Sequence, residues 1–409
     1  MTKQDGIKLV SSDLDRSAGI PEAVPEVVTS LHGFGGSLFA ELPATGNLAI
    51  SPYSVAVALG MTLNGAGGPT AEEMKKVLGA TDVARYNGGL NALTTQVEAL
   101  AGTVKGPDGK DAEIALDAAN ALFGEATTKW SDPFLDVLAE EYGAGMQTVD
   151  YINAYEQARG LINEWVAGKT HDKIPELLAE GILTTLTRLV LVNALYLKAP
   201  WLKPFEKTLT KNAPFHLRDG KSVNVELMQA NLSTAAAAKG PGWQAVRVPY
   251  VGEKLAMTIV LPDEGKLDSV QTYVGSGGLG DVLTAAQPAA VDLQLPKWTF
   301  RTQASLADTL KALGMPTAFD KPGGFAAMTA KDDDTGKDLV IADVVHEVFV
   351  AVDEKGTEAA AATAVVMERT SAPAAGVKLV VDRPFLFAIH DVEHGTPLFL
   401  GRVDDPTVA

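Results

Sequence analysis

Histidine is the side chain of this 409-residue chain best suited to catalysis or metal binding, and it occurs six times. The histidines are His32, His171, His216, His346, His390 and His394. They form no HExxH pair or other tight ligand spacing, so a catalytic zinc site has little support. No G-x-S-x-G segment occurs, although a Ser-His-Asp hydrolase with a nucleophile elbow would need one. Cysteine is absent, which excludes disulfides, thiolate metal sites and a cysteine nucleophile.

Two further motifs suggest ligands, and neither meets its structural requirement. Gly275–Gly280 (GSGGLG) fits the G-x-G-x-x-G dinucleotide pattern, but no clear buried strand precedes it and no acidic residue follows in a βαβ context. The acidic run Asp332–Asp334 could suggest calcium, but the spacing and terminal glutamate of an EF-hand are missing. We therefore predict no metal, no cofactor and no catalytic centre, and expect a protein that is not an enzyme.

The charge balance limits the possible partners. Lys and Arg together number 34 against 51 Asp and Glu, which gives a net charge of −17. Such a surface repels nucleic acid and anionic lipid, so DNA, RNA, heparin-like chains and membranes are not expected partners. No apolar run approaches the roughly 18 residues of a membrane-spanning helix, and Met1–Glu22 lacks the apolar segment of a signal peptide. We expect a soluble protein.

One segment near the carboxyl end is poor in anchoring side chains. Val352–Ser371 reads VDEKGTEAAAATAVVMERTS, and from Gly356 to Ala364 no residue is larger than glutamate. Such small side chains bury too little apolar area to offset the backbone entropy of ordering, so this run is predicted to be mobile. Its composition by itself also fits an alanine-rich linker or a short surface helix. Small residues can, in addition, slide between packed neighbours.

The elements around this segment are predicted to be buried, and they carry polar residues that need partners. Leu339–Val352 is predicted to be a mostly buried strand that contains His346 and leads into the alanine-rich segment. A second buried strand, LVLVNALYLK, is interrupted by Asn193. Ser51 and Ser54 lie where a turn leads into a nearly all-apolar helix, and they are candidate helix caps. A buried polar group without a partner costs about 1–3 kcal/mol, so each should be hydrogen-bonded.

The alanine-rich segment is similar to a known family almost residue for residue. Glu354–Thr363 (EKGTEAAAAT) resembles the reactive-loop hinge of inhibitory serpins. Other blocks resemble the same family: Asn64–Thr70 (NGAGGPT), Asp382–Ile389 (DRPFLFAI) and Thr396–Val403 (TPLFLGRV). The similar blocks extend from about residue 28 to residue 406, with no internal repeat and no dividing linker. The resemblance therefore covers nearly the whole chain.

This resemblance implies a mixed α+β fold, the serpin fold, with three β-sheets and about eight or nine helices. It implies a single serpin domain over residues 25–409, preceded by a flexible amino-terminal tail over residues 1–24. The reactive loop is expected to be mobile and to span about residues 354–376. After cleavage, its hinge is expected to insert into the central sheet as a new strand.

The resemblance also implies a function, the inhibition of serine-type endopeptidases by a suicide mechanism. The loop is cleaved, the acyl-enzyme is trapped as a covalent complex, and the loop becomes a strand of the central sheet. We expect a monomer whose partner is the target serine protease. The alternative is a non-inhibitory serpin that acts as a carrier or chaperone, although such proteins usually alter the hinge. The family is typical of the extracellular space, whereas the lack of a signal peptide leaves the cytoplasm as the alternative.

The family pattern assigns expected roles to individual residues. The hinge is expected to comprise Glu354, Gly356, Thr357, Glu358, Ala359, Ala360, Ala361 and Ala362. The shutter, beneath the point where the central sheet opens, is expected to comprise Ser51, Ser54, Asn193 and His346. The breach, at the top of that sheet, is expected to comprise Trp201, Lys297 and Glu354. The resemblance further implies a hydrogen bond between Asn193 and His346. Glu358 should face outward, because a charge on the inserting face would be desolvated.

The position of the cleaved bond follows from counting along the loop as the family does. Counting from Glu354 gives the bond Thr370-Ser371, and a small Thr370 suits an elastase-like or subtilisin-like protease. A shift of one residue gives the alternative Arg369-Thr370, which would suit a trypsin-like enzyme with an acidic pocket. Between Ser371 and Pro384 the chain is a few residues longer than the usual family pattern.

Overall fold

A computed structural model describes residues 6–358 and 376–409. Its helices are α1 (Val24–Glu41), α2 (Pro52–Leu63), α3 (Gly68–Leu78), α4 (Val83–Glu98), α5 (Asp132–Tyr142), α6 (Tyr151–Lys169), α7 (Leu267–Tyr273), α8 (Leu279–Thr284), α9 (Ala307–Ala312) and α10 (Thr317–Asp320). A π-helical turn at Val274–Gly278 joins α7 to α8. If α7 and α8 are counted as one joined helix, the described residues contain nine α-helices. The predicted number of eight or nine is confirmed.

The strands lie between these helices, singly or in consecutive groups. They are β1 (Lys8–Val10), β2 (Leu48–Ile50), β3 (Gly102–Lys105), β4 (Asp111–Glu125), β5 (Met146–Val149), β6 (Leu189–Pro200), β7 (Lys211–His216), β8 (Ser222–Leu232), β9 (Ala236–Gly240), β10 (Trp243–Pro249), β11 (Leu255–Pro262), β12 (Gln287–Pro288), β13 (Val291–Pro296), β14 (Trp298–Ser305), β15 (Asp343–Val352), β16 (Gly356–Thr357), β17 (Val377–Val380), β18 (Phe385–Asp391) and β19 (Pro397–Val403). The fold class is therefore mixed α+β, as predicted.

The strands of the described ranges form three sheets, as the family resemblance of the sequence predicts. Sheet A has the order β1-β5-β4-β6-β16-β15-β14, and β3 pairs with β4. Sheet B has the order β12-β9-β10-β11-β18-β19-β2, and sheet C has the order β17-β13-β8-β7. In sheet A, β6 and β15 are parallel neighbours, whereas β4 and β6 are antiparallel. The pairing of β6 with β15 is the feature that positions the site described below.

The main core lies between sheet A and sheet B and includes α2. Every residue of α2 is buried, which agrees with its nearly all-apolar sequence. The helix begins after Ser51, whose side chain accepts a hydrogen bond from the amide of Ser54, and Pro52 occupies the first turn, where it costs no hydrogen bond. A second core cluster, with Ile162 and Val190, packs α6 onto the other face of sheet A. The central sheet is thus covered on both faces.

Within the loose tail predicted for residues 1–24, the described residues 6–24 make anchoring contacts with the rest of the fold. Lys8–Val10 pairs antiparallel with β5 at the edge of sheet A. Farther along, the amide of Ser17 donates to the carbonyl of Glu140 at 2.7 Å, and that of Ile20 donates to the carbonyl of Gly88 at 2.7 Å. These main-chain bonds to α5 and α4 supply the anchoring that the polar sequence does not reveal.

Two predicted strands also differ in their bounds. The apolar stretch Val291–Phe300 is divided at Lys297, so that β13 belongs to sheet C and β14 to sheet A. The strand expected from Leu339 begins only at Asp343, because the amide of Ile341 donates to Ala318 in α10 instead of a sheet partner. Apolar periodicity indicates burial in both stretches, but it does not distinguish one sheet from two.

The motifs set aside in the sequence have ordinary structural roles. The glycine-rich GSGGLG segment lies in the helical region from the π turn into α8, not in a loop between a strand and a helix. Asp332 forms an ion pair with Lys129 at 2.7 Å. Within residues 6–358 and 376–409, no group of three or more His, Asp or Glu side chains is placed to hold a metal ion. A search of the same residues finds no helix with the length and hydropathy needed to cross a membrane.

Candidate functional site

The four residues predicted to form the shutter meet beneath the middle of sheet A. Asn193 lies at the centre of β6 and His346 lies directly opposite it on β15, and both side chains are completely buried. These two positions lie side by side because β6 and β15 are parallel neighbours in this register. The Nδ1 atom of His346 is hydrogen-bonded to Oδ1 of Asn193, which confirms the predicted contact.

The hydrogen bonds around His346 fix its tautomer. The amide of Ser51 donates to Nε2 of His346 at 3.0 Å, so Nε2 carries no proton. The ring proton therefore resides on Nδ1 and is donated to Asn193. Burial lowers the pKa of His346 from 6.5 to about 4, although its bond to Asn193 opposes the shift. At neutral pH the imidazole is uncharged, as this set of bonds requires.

The rest of the network passes from Asn193 to α2 and β4. The Asn193 amide group donates to Oγ of Ser54 and to Oδ1 of Asn120, both at 2.7 Å. Oγ of Ser54 also donates to Oδ1 of Asn120 at 2.5 Å. Ser54 is therefore a member of the network and not a helix cap, whereas Ser51 is both the cap of α2 and the donor to His346.

Asn120 is a member of this network that the sequence interpretation missed. It lies on β4 opposite Asn193, so β4, β6 and β15 each contribute one polar side chain at the same level of the sheet. Its signal in the sequence was a single polar residue within the run Ala118-Ala119-Asn120-Ala121-Leu122. Such a residue in an apolar strand needs a buried partner, by the same argument that singled out Asn193.

Two of the residues predicted to form the breach, Lys297 and Glu354, are joined by charge near the upper ends of β6 and β15. Lys297 forms an ion pair with Glu354 at 2.9 Å and a second with Glu226 at 3.1 Å. Oε1 of Glu354 also accepts from Oγ1 of Thr210 at 2.9 Å. Burial by itself would raise the pKa of Glu354, but the hydrogen bonds from Lys297 and Thr210 hold it below its ordinary value. Glu354 is therefore an ionised and partly buried anchor.

Trp201 covers the apolar side of the breach. Its ring stacks on Tyr250 with centroids 4.5 Å apart and an angle of 5° between the planes. Its indole Nε1 donates to the carbonyl oxygen of Asp353 at 3.0 Å, and its amide donates to the carbonyl of Lys355 at 2.8 Å. The amide of Phe205 donates to the carbonyl of Glu354 at 2.8 Å. The main chain at 353–355 is thus fixed by three donors from the segment that follows β6.

The first hinge residues are already paired within sheet A. Gly356 lies opposite Pro200 on β6, and Thr357 lies between Ala199 on β6 and Val352 on β15. A side chain at position 356 would meet the carbonyl oxygen of Ala199 at 2.2 Å, so this close approach requires glycine. Thr357 is buried, and its Oγ1 is hydrogen-bonded to the hydroxyl of Tyr250 at 2.6 Å.

Glu358 is the last hinge residue before the chain leaves the described structure. Its amide donates to the carbonyl of Ala351 at 2.9 Å, and its carboxylate forms an ion pair with Lys173 in the segment after α6. It lies on the face of the strand opposite Thr357, but only 14% of its side chain is exposed, so its carboxylate is not directed into solvent. The remaining predicted positions lie outside the described residues: Ala359, Ala360, Ala361, Ala362, Arg369, Thr370 and Ser371.

Comparison with known proteins places this arrangement in a family. The model of the family described as Serpin (serine protease inhibitor) matches residues 29–406. An uncharacterized serpin-like protein of Thermococcus kodakarensis is 36% identical, over 93% of this chain and 86% of its own length. A leukocyte elastase inhibitor of Bos taurus is 35% identical, over 88% of this chain and 93% of its own length. The chain therefore belongs to the serpin family.

Solved structures agree with this assignment. The thermophilic serpin tengpin in its native state superposes with a TM-score of 0.84 at 25% identity, and the alignment covers 98% of this chain and 100% of tengpin. The fold is that of a serpin, and the relatives found by sequence include proteins that are named as protease inhibitors. The family as a whole is described by inhibition of serine proteases and not by catalysis.

Proposed function

We propose that this protein inhibits serine endopeptidases by a suicide mechanism in which each molecule acts once. Membership of the serpin family supports the proposal, as does the sequence of the hinge. The single observation that carries it is the position of Gly356 and Thr357. They form a two-residue strand between the upper ends of β6 and β15, and those strands pair directly with each other lower down, from Asp343 to Val348.

This geometry supplies a site for a new strand. The hinge already occupies the first two positions, so separation of β6 from β15 would allow the following residues to continue downward between them. Each inserted residue would exchange a solvated backbone for sheet hydrogen bonds on both sides. Because the rest of the loop joins the sheet only after cleavage, the uncleaved protein is held short of its most stable form by a kinetic barrier.

The alternation of a strand assigns the faces of the inserted segment. Thr357 points into the core, so positions 359, 361 and 363 would point the same way. These positions are Ala359, Ala361 and Thr363, whose small side chains would enter the packed interior without overpacking it. Glu358 belongs to the opposite face, where its charge is already paired.

The chemistry of inhibition belongs to the protease. Its serine Oγ attacks the carbonyl carbon of Thr370, the bond from Thr370 to the nitrogen of Ser371 breaks, and the released amine takes the proton from the catalytic histidine. The product is an ester between the inhibitor and the enzyme. Insertion then carries the acylated enzyme across the molecule and distorts its oxyanion hole, so the ester is not hydrolysed. If Arg369-Thr370 is the bond instead, the same steps apply one residue earlier and the target is trypsin-like.

An SDS gel with elastase-like, subtilisin-like and trypsin-like proteases tests this function. We expect a covalent complex with at least one enzyme, and mass spectrometry of the released carboxyl-terminal peptide should show Ser371 or Thr370 as its first residue. The variant Ala361→Arg should fold normally but become a substrate, because a charge on the inserting face stalls insertion. Ala360→Arg, on the opposite face, is the matched control and should retain inhibition.

The alternative, a non-inhibitory serpin that serves as a carrier or chaperone, gives a different result. In that case every protease tested would cleave the loop or ignore it, and would remain active. The intact hinge sequence and its docked first residues favour inhibition over this alternative.

A further inference from the structure

The chain leaves sheet A at Glu358 through an unfavourable backbone conformation. Glu358 has a φ angle of 50°, in the left-handed region that residues other than glycine adopt at some cost. Its amide still bonds to Ala351 on β15, so the residue is the last one held by the sheet. Its largely buried carboxylate also holds the residue in place through the ion pair with Lys173, whose side chain is 40% exposed.

Lys173 is brought to this point by a strained turn at the end of α6. The helix ends at Lys169, and the two residues before Lys173 also have positive φ angles, 50° at His171 and 59° at Asp172. The ammonium group lies 5.6 Å from the centroid of the Phe349 ring, within range of a cation–π contact. The end of α6, the turn at His171 and Asp172, and the contact with Phe349 therefore place the Lys173 ammonium group beside the gap between β6 and β15 that the loop would enter.

The groups around the Glu358 carboxylate come from both sides of that cleft. Phe349 belongs to β15 and Tyr196 belongs to β6. Burial, followed by the nearby Glu358 carboxylate, raises the pKa of Tyr196 to about 12, which reflects how close the two side chains lie. The cluster of Lys173, Tyr196, Phe349 and Glu358 thus bridges the point at which β6 and β15 diverge.

We propose that Lys173 is a positioning residue that, through Glu358, keeps Gly356 and Thr357 docked as the first rung of the inserting strand. The inference rests on the proposed function, because a docked first rung matters only if the loop later inserts. Starting a strand costs ordering entropy before any long run of bonds forms, whereas extending one adds bonds with each residue. Because Gly356 and Thr357 are already paired before cleavage, insertion only has to extend an existing strand.

The ion pair is compatible with growth of the strand. Thr357 faces the core, and Glu358 faces the side covered by the segment after α6. When the strand continues, alternation keeps Glu358 on that same side, so its carboxylate stays within reach of Lys173 while the backbone of Glu358 becomes extended. The Lys173–Glu358 ion pair therefore holds Gly356 and Thr357 in the sheet without blocking insertion of the residues that follow.

Hydrogen exchange of the uncleaved, full-length protein tests the docking itself. In Lys173→Met, which keeps the apolar stem against Phe349 but removes the charge, the amides of Thr357 and Glu358 should exchange about fivefold faster, the effect of a partly exposed ion pair. Lys173→Arg should restore the wild-type rate. Lys169→Met, which removes the same charge from a lysine lying over Trp165 at 5.9 Å, is the matched control and should leave these amides unchanged.

The second measurement is the number of inhibitor molecules consumed per protease molecule inactivated. This stoichiometry should rise by a few-fold in Lys173→Met and stay at the wild-type value in Lys173→Arg and Lys169→Met. Unchanged exchange in Lys173→Met, equal changes in the two methionine variants, or faster exchange with unchanged stoichiometry would each overturn the proposal. If the wild-type protein forms no complex at all, the proposed inhibition fails, and the exchange measurement still decides whether Lys173 docks the hinge.

Discussion

The shutter and the breach lie at two levels of the same pair of strands, yet they are held by different chemistry. The shutter joins His346, Asn193, Ser54 and Asn120 through neutral groups, of which all but the partly buried Asn120 are completely buried. The breach joins Glu354 and its partners through charges that water partly reaches. The first region links β4, β6 and β15 by neutral hydrogen bonds, whereas the second fixes the main chain just after β15 by an ion pair.

The difference has an energetic meaning. Removal of one member of a closed, buried network leaves the other members unpaired, at about 1–3 kcal/mol for each group. Removal of one member of a partly exposed ion pair costs about 1 kcal/mol or less, because water and other partners take its place. The shutter should therefore control the stability of the whole sheet, and the breach should control the hinge locally.

The largest effect is expected for Asn193→Ala. This substitution removes the acceptor of the His346 proton and the donor to Ser54 and Asn120, and it leaves a cavity between β6 and β15. We expect the free energy of the first unfolding step to fall by about 4 kcal/mol. Urea titration followed by tryptophan fluorescence measures it.

Asn212→Ala is the matched control for this variant, because Asn212 is exposed on β7. It should change the same free energy by less than about 0.5 kcal/mol. A loss of that small size in Asn193→Ala would mean that the shutter network contributes no more than a surface contact, and the contrast between the two regions would disappear.

The next largest effect is the pH dependence that His346 confers. Its pKa of about 4 in the folded protein lies below the ordinary 6.5, so the unfolded chain binds the proton first as pH falls. The stabilisation is fully present above pH 6.5 and is lost as the pH falls through about 4. The difference corresponds to about 3 kcal/mol. Unfolding of wild type and His346→Gln should be compared between pH 7.5 and pH 4.

Other titrating groups, His390 and Glu347 among them, contribute to the same curve and must be separated from His346. Burial also lowers the pKa of His390 to about 4, so His390 acts in the same direction. Burial raises the pKa of Glu347 to about 7, against the opposing effect of Arg301, so its contribution is lost as pH rises through 7. The decisive quantity is therefore the difference between wild type and His346→Gln. An equal pH slope in both proteins would contradict the assignment of a neutral His346.

The smallest effect is expected at the breach, for Glu354→Gln. The pKa of Glu354 is lowered in the folded protein, so its stabilisation is present above the ordinary value of 4.5 and is lost as the pH falls through the folded pKa. At pH 7 the substitution should cost about 1 kcal/mol, because the pair with Lys297 is partly exposed. Thermal unfolding at pH 7 and below pH 4 measures this difference.

Glu226→Gln removes the other partner of Lys297 and provides the control. The Glu226 side chain is 61% exposed, so its loss should be smaller than that of Glu354. If the two substitutions cost the same, the anchoring role of Glu354 would reduce to generic charge balance around Lys297. If Glu354→Gln lowered the free energy of unfolding as much as Asn193→Ala, the breach would contribute as much to the stability of the sheet as the shutter.

The sequence by itself determined the buried elements and the chemical character of the hinge. Polar residues within apolar strands, such as Asn193 and His346, had to find buried partners, since an unpaired buried group is too costly. The small residues after Gly356 had to belong to a segment whose own side chains bury little apolar surface. These conclusions depend only on side-chain size, polarity and periodicity, which are local properties of the chain.

The tertiary structure decided which of these groups meet. The parallel register of β6 and β15 places Asn193 opposite His346, and the antiparallel register of β4 adds Asn120, which no local pattern could pair with them. The meeting of Lys173 with Glu358 likewise depends on the position of the turn after α6, which is far from Glu358 in the sequence. Strand register and the position of this turn are set by packing over long sequence separations, and for this physical reason they could not be predicted from spacing along the chain.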